Sequence, residues 1–362
     1  MALAKITLAS FRNHLASELG ETAHFNLLVG ENGAGKTNVL EALSLLSPGR
    51  GLRRAPLAQL AHRADPAAPP GAFAIGANLV EQGQVSARLG TYTLPDAPTR
   101  RLVRINGAEA SAADLSEWHA VSWLTPAMDG LFTDSAGARR RFVDRMALAI
   151  DPAHARSVTR LEGALRERNR LLELGAEARW LDAVEAQAGE HGASVAATRA
   201  QLVAMLSDEL SALPAQPFAR PALTYRPGGP LDADELRGAL ARARPRDRAA
   251  GRALTGPHRD ELEVVMAGTG QPAASCSTGE QKAMLIAITL AHAGLAARGR
   301  PSVLLLDEVA AHLDPVRREA LFERLRAGAA QVWMTGTERA PFAAIEKEAA
   351  IWRVSGGSVE PL

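Results

Sequence analysis

Residues 30–37 combine residue types and spacing that suit phosphate binding. They read Gly-Glu-Asn-Gly-Ala-Gly-Lys-Thr and satisfy the pattern G-x-x-x-x-G-K-[ST]. Glycines allow backbone N–H groups to close around phosphates, and the N-terminus of a following helix adds the positive end of its dipole. The predicted nucleotide contacts of this segment, the P-loop, are Gly30, Glu31, Asn32, Gly33, Ala34, Gly35, Lys36, Thr37 and Asn38.

Two side chains of the P-loop add a charge and a metal ligand. The ammonium group of Lys36 is suited to neutralise the β- and γ-phosphates of ATP, and the hydroxyl of Thr37 is suited to coordinate Mg²⁺. The sequence therefore predicts a site for ATP and Mg²⁺, with Lys36 as one catalytic residue.

A second candidate element is the apolar run 303–306, which ends in Asp307 and Glu308. A buried strand would deliver Asp307 to the magnesium ion at the carboxyl end of that strand. Glu308 would orient or deprotonate the attacking water, and it is the second predicted catalytic residue. Such a run is common by itself, and only its pairing with the P-loop favours a nucleotide site.

A third candidate element is the segment 277–282, Ser-Thr-Gly-Glu-Gln-Lys, which opens an apolar helix predicted over 283–291. Ser277 and Glu280 fit the S-x-x-E capping box of a helix N-terminus. The same composition suits the binding of an anion at that N-terminus. The two interpretations are compatible.

Alternating strands and helices must position these residues. The predicted strands lie at 6–8, 25–29, 73–94, 102–105, 303–306 and 331–335, and the predicted helices of the same lobe lie at 36–46 and near 317–326. Because the strands at 73–94 and 102–105 alternate apolar and polar residues and precede the turn Asn106-Gly107, we expect them to be antiparallel. This part should form a β-subdomain beside the nucleotide site.

The middle of the chain has a different character. Residues 138–213 contain little proline or glycine and carry leucines at helical spacing, which predicts a helical lobe or short arm. Simple helical packing onto the core is an equally good interpretation. Residues 214–248, with their prolines and Gly228-Gly229, are predicted to be a loop-rich connector. The expected domains are an ATPase lobe formed by 1–137 and 249–362, and the inserted lobe with its connector at 138–248.

The composition excludes several classes of protein. Cys276 is the one cysteine, so there is no internal disulfide framework and no multi-cysteine metal site. No apolar run is long enough to cross a membrane, and the N-terminus has too short an apolar stretch for a secretory signal. We therefore expect a cytoplasmic protein without a membrane partner. The net charge is +1, so that any DNA contact must come from a local patch.

Several strings together resemble the RecF family of SMC-like ABC ATPases. Residues 277–280 are similar to the ABC signature in its SMC-like form, and we call 277–282 the signature segment. Further similar strings lie at 11–13, 49–53, 105–107, 139–144 and 256–260. The resemblance implies an α/β fold: an ABC/SMC-like P-loop ATPase head with a flanking antiparallel β-subdomain and an inserted helical lobe.

The resemblance also implies roles for residues outside the P-loop. In this class the signature caps the γ-phosphate held by the partner subunit, the D-loop crosses the dimer interface, and a side chain at the end of a core strand senses the γ-phosphate. The candidate nucleotide contacts added in this way are Arg12, Ser277, Gly279, Glu280, Lys282, Asp314 and Thr335. In one place the chain departs from the family, because Ala127 and Met128 follow Pro126 where relatives usually carry acidic residues.

The function implied by the resemblance is that of a recombination mediator. ATP would join two heads into a homodimer that clamps gapped DNA or a junction of single- and double-stranded DNA, and slow hydrolysis would release it. With RecR, the family promotes RecA loading in gap repair, replication restart and the SOS response. An alternative is another SMC-like structural DNA clamp. The ATPase subunit of a membrane transporter fits less well, because no switch histidine follows Met334.

Overall fold

The computed structural model describes residues 2–63, 71–214, 217–310 and 313–362. The chain divides into two compact units, one of residues 1–128 and 289–362 and the other of residues 129–288. The lobe and connector expected at 138–248 lie inside the second unit, which extends beyond them in both directions. The signature segment also belongs to the second unit, whereas the P-loop and the paired acids belong to the first.

Every strand and helix predicted for the first unit is found. The strands are β1 (Ala2–Phe11), β2 (His14–Leu19), β3 (Phe25–Val29), β4 (Ala74–Glu81), β5 (Gln84–Leu94), β6 (Ala97–Ile105), β7 (Ala108–Ala110), β8 (Ala120–Leu124), β9 (Pro221–Arg226), β10 (Glu261–Met266), β11 (Ser302–Leu306), β12 (Gln331–Gly336), β13 (Ala349–Ser355) and β14 (Ser358–Pro361). The α-helices are α1 (Lys36–Ser44), α2 (Leu115–Trp118), α3 (Ala136–Ile150), α4 (His154–Leu174), α5 (Ala178–Ala212), α6 (Ala233–Ala250), α7 (Thr278–Ala296) and α8 (Pro315–Ala327).

A mostly parallel sheet forms the centre of the first unit. Its strand order is β14-β13-β3-β12-β11-β8, with only β14 antiparallel to its neighbour. All residues of β8, β11 and β12 are buried, as expected for central strands covered on both faces. Because β3, β12 and β11 are adjacent and parallel, the segments that follow them meet at one edge of the sheet.

A second, antiparallel sheet has the order β2-β1-β4-β5-β6-β7 and forms the predicted β-subdomain. It shares an apolar core with α1 and with the parallel sheet, to which Ile6, Leu43 and Leu305 all contribute without solvent exposure. Trp333 and Trp352 stack in this core, with their ring centroids 5.4 Å apart. The helix that follows the P-loop is therefore packed between two sheets.

Arg101, on β6, binds the carboxyl end of α1. Its guanidinium donates hydrogen bonds to the carbonyl oxygens of Leu45, Ser47 (3.0 Å) and Gly49 (2.9 Å), and its Nε donates to Thr91 Oγ1 at 2.8 Å. Burial lowers the pKa of Arg101 to about 10, which leaves the side chain charged at neutral pH. A cation at this end of a helix satisfies carbonyl groups that have no partner within the helix.

The second unit contains α3 to α6, the two-stranded sheet β10-β9 and the first part of α7. Helices α4, α5 and α6 share a core that includes Leu161, Val195, Leu236 and Leu240. The helices predicted over 138–213 are thus confirmed as α3, α4 and α5. Among the helices of the described residues, none is both long and apolar enough to cross a membrane.

The prediction of a loop-rich connector at 214–248 was wrong. Strand β9 and helix α6 occupy most of that segment. Asp232 caps α6 by accepting hydrogen bonds from the backbone N–H groups of residues 234 and 235, and Pro245 lies inside the helix on its exposed side. The buried positions Leu236, Leu240 and Ala243 have helical spacing, and their burial against the other helices outweighs the cost of the proline.

A buried ion cluster joins the three helices of the second unit. Arg168 on α4 is fully buried, and its guanidinium meets Glu185 of α5 and Asp247 of α6, each at 2.9 Å. It also donates to the carbonyl oxygen of Leu240 at 2.7 Å, and Arg244 supplies a second cation to Glu185. Since a buried charge is costly without partners, these contacts specify how the helices pack.

Replacing Arg168 tests this cluster. We expect Arg168→Ala to lower the free energy of unfolding by about 3–5 kcal/mol, because two buried carboxylates lose a partner. Urea unfolding followed by circular dichroism measures the change. Arg170→Ala is the matched control, since Arg170 lies on the same helix, is exposed and pairs with the exposed Glu167. Equal unfolding midpoints for the two variants would contradict the assignment.

Candidate nucleotide-binding site

The P-loop connects β3 to α1, as the sequence predicts. Gly35 is the N-cap of α1 with φ of 114°, a conformation that residues with a Cβ rarely adopt. The Lys36 ammonium donates to the carbonyl oxygens of Gly30 at 2.6 Å and Glu31 at 2.9 Å, which folds this side chain onto its own loop. Burial lowers the pKa of Lys36, and the nearby charges of Glu308 and Asp307 oppose that shift.

The paired acids follow β11 and lie beside the first turn of α1. The Oδ1 atom of Asp307 accepts hydrogen bonds from Thr37 Oγ1 at 2.9 Å and from Thr335 Oγ1 at 2.8 Å. The backbone N–H of Glu308 donates to the same Thr335 hydroxyl at 2.8 Å. The structure thus brings together five residues that the sequence nominated: Lys36, Thr37, Asp307, Glu308 and Thr335.

The electrostatics of this edge favour a cation. Burial raises the pKa of the Asp307 carboxyl group, the charge of Glu308 raises it further, and the bonds from Thr335 and Thr37 act in the opposite direction. The Thr37 hydroxyl and the Asp307 carboxylate are hard oxygen ligands in contact with each other. Mg²⁺ binds through few protein oxygens and keeps several waters, so this pair fits that ion.

Glu308 has an unusual backbone. Its φ is 55°, in the left-handed region that residues other than glycine adopt only at a cost in energy. The hydrogen bond from its N–H to Thr335 helps to hold this conformation. A strained residue directly after the buried acid is typical of a functional site, where the surrounding structure fixes a side chain in one direction.

Glu41 is a site-supporting residue that the sequence analysis missed. It lies on α1, is almost fully buried, and pairs with both oxygens of its carboxylate to Arg12 at 2.8 and 2.9 Å. It also meets Arg53 at 3.2 Å, and Arg53 donates to Asn38 Oδ1 at 2.6 Å. The predicted contact residue Arg12 therefore binds a carboxylate of the P-loop helix. The available signal was one acidic residue in an otherwise apolar helix sequence.

The signature segment adopts the predicted capping box. Glu280 Oε2 accepts hydrogen bonds from the backbone N–H of Ser277 at 2.8 Å and from its hydroxyl at 2.7 Å, while the Glu280 N–H donates to Ser277 Oγ at 3.3 Å. Ser277 and Gly279 are exposed, and a Cβ at Gly279 would meet no atom within 4 Å. Lys282 pairs with Asp129 at 3.3 Å. The fold itself therefore does not require glycine at 279.

Asp314 has a structural contact of its own. It is the N-cap of α8, where its side chain accepts a hydrogen bond from the backbone N–H of Arg317 at 3.0 Å. Half of its side chain remains exposed. A role for Asp314 across a dimer interface stays a prediction.

A family model supports the class of protein that this geometry defines. The model described as the RecF/RecN/SMC N terminal domain matches residues 2–359. A solved structure titled as the recombination mediator protein RecF with ATP in the RecFOR pathway superimposes with a TM-score of 0.86 at 20% identity, covering 99% of this chain and 97% of that one. The fold is an SMC-like ABC ATPase head.

Curated relatives give the family within this class. The chain is 46% identical to the DNA replication and repair protein RecF of Brucella suis, over 99% of this chain and 96% of that protein. It is also 46% identical to the protein of the same name from Mesorhizobium japonicum, over 99% and 97% of the two chains. The chain belongs to the RecF family.

The raised pKa of Asp307 has a consequence for stability. An acid whose pKa is higher in the folded state than in the unfolded state destabilises the fold at neutral pH, and this effect fades as the pH falls and the acid takes up a proton. Asp307→Asn keeps an oxygen acceptor for both threonines. We expect this variant, without nucleotide, to melt at a higher temperature than wild type at about pH 8, with a smaller difference at about pH 5.

The control for this comparison is Asp314→Asn. Asparagine is also a good N-cap, and Asp314 is half exposed, so the substitution should leave the melting temperature nearly unchanged at both pH values. If Asp307→Asn melted below wild type at about pH 8, the proposed charge surplus at this edge would be wrong.

Proposed function

We propose that this protein is an ATP-dependent, dimerising DNA clamp that acts as a recombination mediator. The observation that carries the proposal is the convergence of Lys36, Thr37, Asp307 and Glu308 at one sheet edge of a RecF-family head. These groups supply phosphate binding, metal binding and activation of water. Their arrangement around a nucleotide would make the protein a weak ATPase used as a switch.

Nucleotide binding would begin with an exchange of partners at Lys36. Its ammonium is held by two loop carbonyls, and the β- and γ-phosphates of ATP would take their place. Thr37 and Asp307 would hold Mg²⁺, which when bound neutralises charge on the phosphates. Glu308 would orient the attacking water and accept its proton.

Thr335 would act by positioning these groups. Its hydroxyl proton is donated to Asp307, and its oxygen accepts the N–H of Glu308. One hydroxyl thus links the metal-binding acid to the acid that activates water. This bonding favours a positioning role for Thr335 over direct donation to the γ-phosphate, because the single proton is already used.

Dimerisation would come from the signature segment. Ser277 and Gly279 are exposed at the start of α7, where backbone N–H groups and the helix dipole favour an anion. In a homodimer this N-terminus would cap the γ-phosphate bound to the partner's P-loop. ATP would then shift the monomer–dimer equilibrium, because only the dimer can make those contacts.

The biological setting follows from the family. Relatives are named for DNA replication and repair, and a solved relative is titled a recombination mediator of the RecFOR pathway. We propose that this chain binds gapped DNA or a junction of single- and double-stranded DNA in the cytoplasm. There it would act with RecR to promote RecA loading in gap repair, replication restart and the SOS response.

The dimer interface can be tested at Gly279. We expect Gly279→Ala to fold normally, because alanine favours a helix and open space surrounds this position, but to lose most ATP-dependent dimerisation through a clash with the partner's nucleotide. Ser277→Arg should lose it completely. Sedimentation with ATP and Mg²⁺, with and without gapped DNA, measures both effects.

Gly294→Ala is the matched control for this experiment. Gly294 lies on the same helix and is exposed, and a Cβ added there would also meet no atom within 4 Å, so its substitution should leave the dimer intact. Wild-type protein that stays monomeric with ATP, Mg²⁺ and DNA would overturn the clamp.

Glu308 can be tested separately from binding. We expect Glu308→Gln to bind ATP as wild type does but to hydrolyse it about 100-fold more slowly or less, because the amide cannot accept the proton of water. Dimers should therefore accumulate. Single-turnover hydrolysis and sedimentation of the same sample measure the two effects. Unchanged hydrolysis would assign the activation of water to another group.

A further inference from the structure

The turn between β13 and β14 lies against the outer side of the P-loop. The backbone N–H of Gly357 in this turn faces the carbonyl oxygen of Ala34 at 3.3 Å, and the carbonyl oxygen of Gly357 accepts a hydrogen bond from Ser17 Oγ at 3.1 Å. A Cβ on Gly357 would come within 1.9 Å of the carbonyl oxygen of Asn13. Residues near the two ends of the chain thus enclose the loop.

Asn13 and His14 bind the same part of the P-loop through its carbonyl groups. Asn13 Nδ2 donates to the carbonyl oxygen of Ala34 at 2.9 Å, and His14 Nε2 lies 3.1 Å from the carbonyl oxygen of Gly35. These peptide groups lead directly into the first turn of α1, whose N–H groups face the phosphate site. Fixing their carbonyl oxygens on the outer side fixes the direction of the adjacent N–H groups.

The protons available in this cluster define who donates to whom. A carbonyl oxygen can only accept, so the His14 Nε2 must carry a proton, and burial lowers the pKa of His14, which keeps the ring neutral. Its Nδ1 is then an acceptor, 3.0 Å from Ser17 Oγ. The single hydroxyl proton of Ser17 serves either His14 Nδ1 or the carbonyl oxygen of Gly357. The ring contact to Gly35 therefore does not depend on Ser17 alone.

We infer that the β13–β14 turn is a brace for the P-loop, and that Asn13, His14 and Gly357 are positioning residues for the nucleotide. The inference rests on the proposed nucleotide binding at this loop. The turn fixes Asn13 by direct contact, and Asn13 and His14 fix the carbonyl groups of residues 34 and 35. Nucleotide affinity then depends on where the C-terminal hairpin lies, and by reciprocity a bound nucleotide stabilises that hairpin.

Two neighbouring glycines provide a matched pair for the test. Gly356 and Gly357 both have positive φ, 54° and 85°, so alanine at either position is strained in the same way. Only Gly357 has an atom close to the added Cβ, whereas Gly356 has none within 4 Å. A difference between the two variants therefore reports on contact with Asn13 and not on backbone strain.

The measurement is the affinity of the full-length chain for a fluorescent ATP analogue with Mg²⁺, together with the melting temperature. We expect Gly357→Ala to bind about tenfold more weakly or worse, because a shift of a supporting group by an ångström is enough to misplace bound phosphates. Gly356→Ala should bind as wild type does. Equal affinities of the two variants would overturn the brace while leaving the nucleotide site in place. Absence of binding by wild type would instead overturn the proposed function.

Substitutions of His14 provide a second arm if Gly357→Ala does not fold. His14→Gln keeps an N–H donor for the carbonyl oxygen of Gly35, and His14→Leu fills similar space without one. We expect weak nucleotide binding by the leucine variant and near wild-type binding by the glutamine variant. A leucine variant that binds as tightly as the glutamine variant would contradict the role given to the ring.

Discussion

The hydrogen bonds to the Asp307 carboxylate determine how the first unit is organised. A buried carboxylate is costly unless its oxygens accept hydrogen bonds, and here one oxygen receives the hydroxyl protons of Thr37 and Thr335. These three residues follow or end three adjacent parallel strands, so their bonding requires the register of β3, β12 and β11 that the sheet shows. Two neutral hydroxyls do not cancel the charge, and this edge of the sheet remains suited to a cation.

Local patterns in the sequence were sufficient for this part of the molecule. Strand β3 has the bounds that its apolar run predicts, and the P-loop pattern, the acids after β11 and the capping box at Ser277 all have the local geometry expected of them. Each of these features depends on residues close together in the chain. A buried strand and a helix cap are recognised by spacing alone, so tertiary packing has little left to decide.

The sequence was a poor guide wherever packing decides. Pro245 and the neighbouring arginines hid a helix whose apolar positions, Leu236 and Leu240, only gain stability against α4 and α5. Glu41 attracted no attention because its partners, Arg12 and Arg53, are brought to it by the fold. The contacts of Gly357 join residues at opposite ends of the chain, and nothing in a short window of sequence could indicate them.

The Arg101 contact has a consequence for the response of the protein to salt. Its charge is buried and is neutralised by main-chain carbonyl dipoles instead of by an acid, so mobile ions have little access to it. Exposed ion pairs and contacts to phosphate groups of DNA weaken steeply as ionic strength rises. The helix behind the P-loop thus keeps its electrostatic support under conditions that strip the molecule of its charged partners, and high salt should separate the head from DNA long before it unravels the nucleotide site.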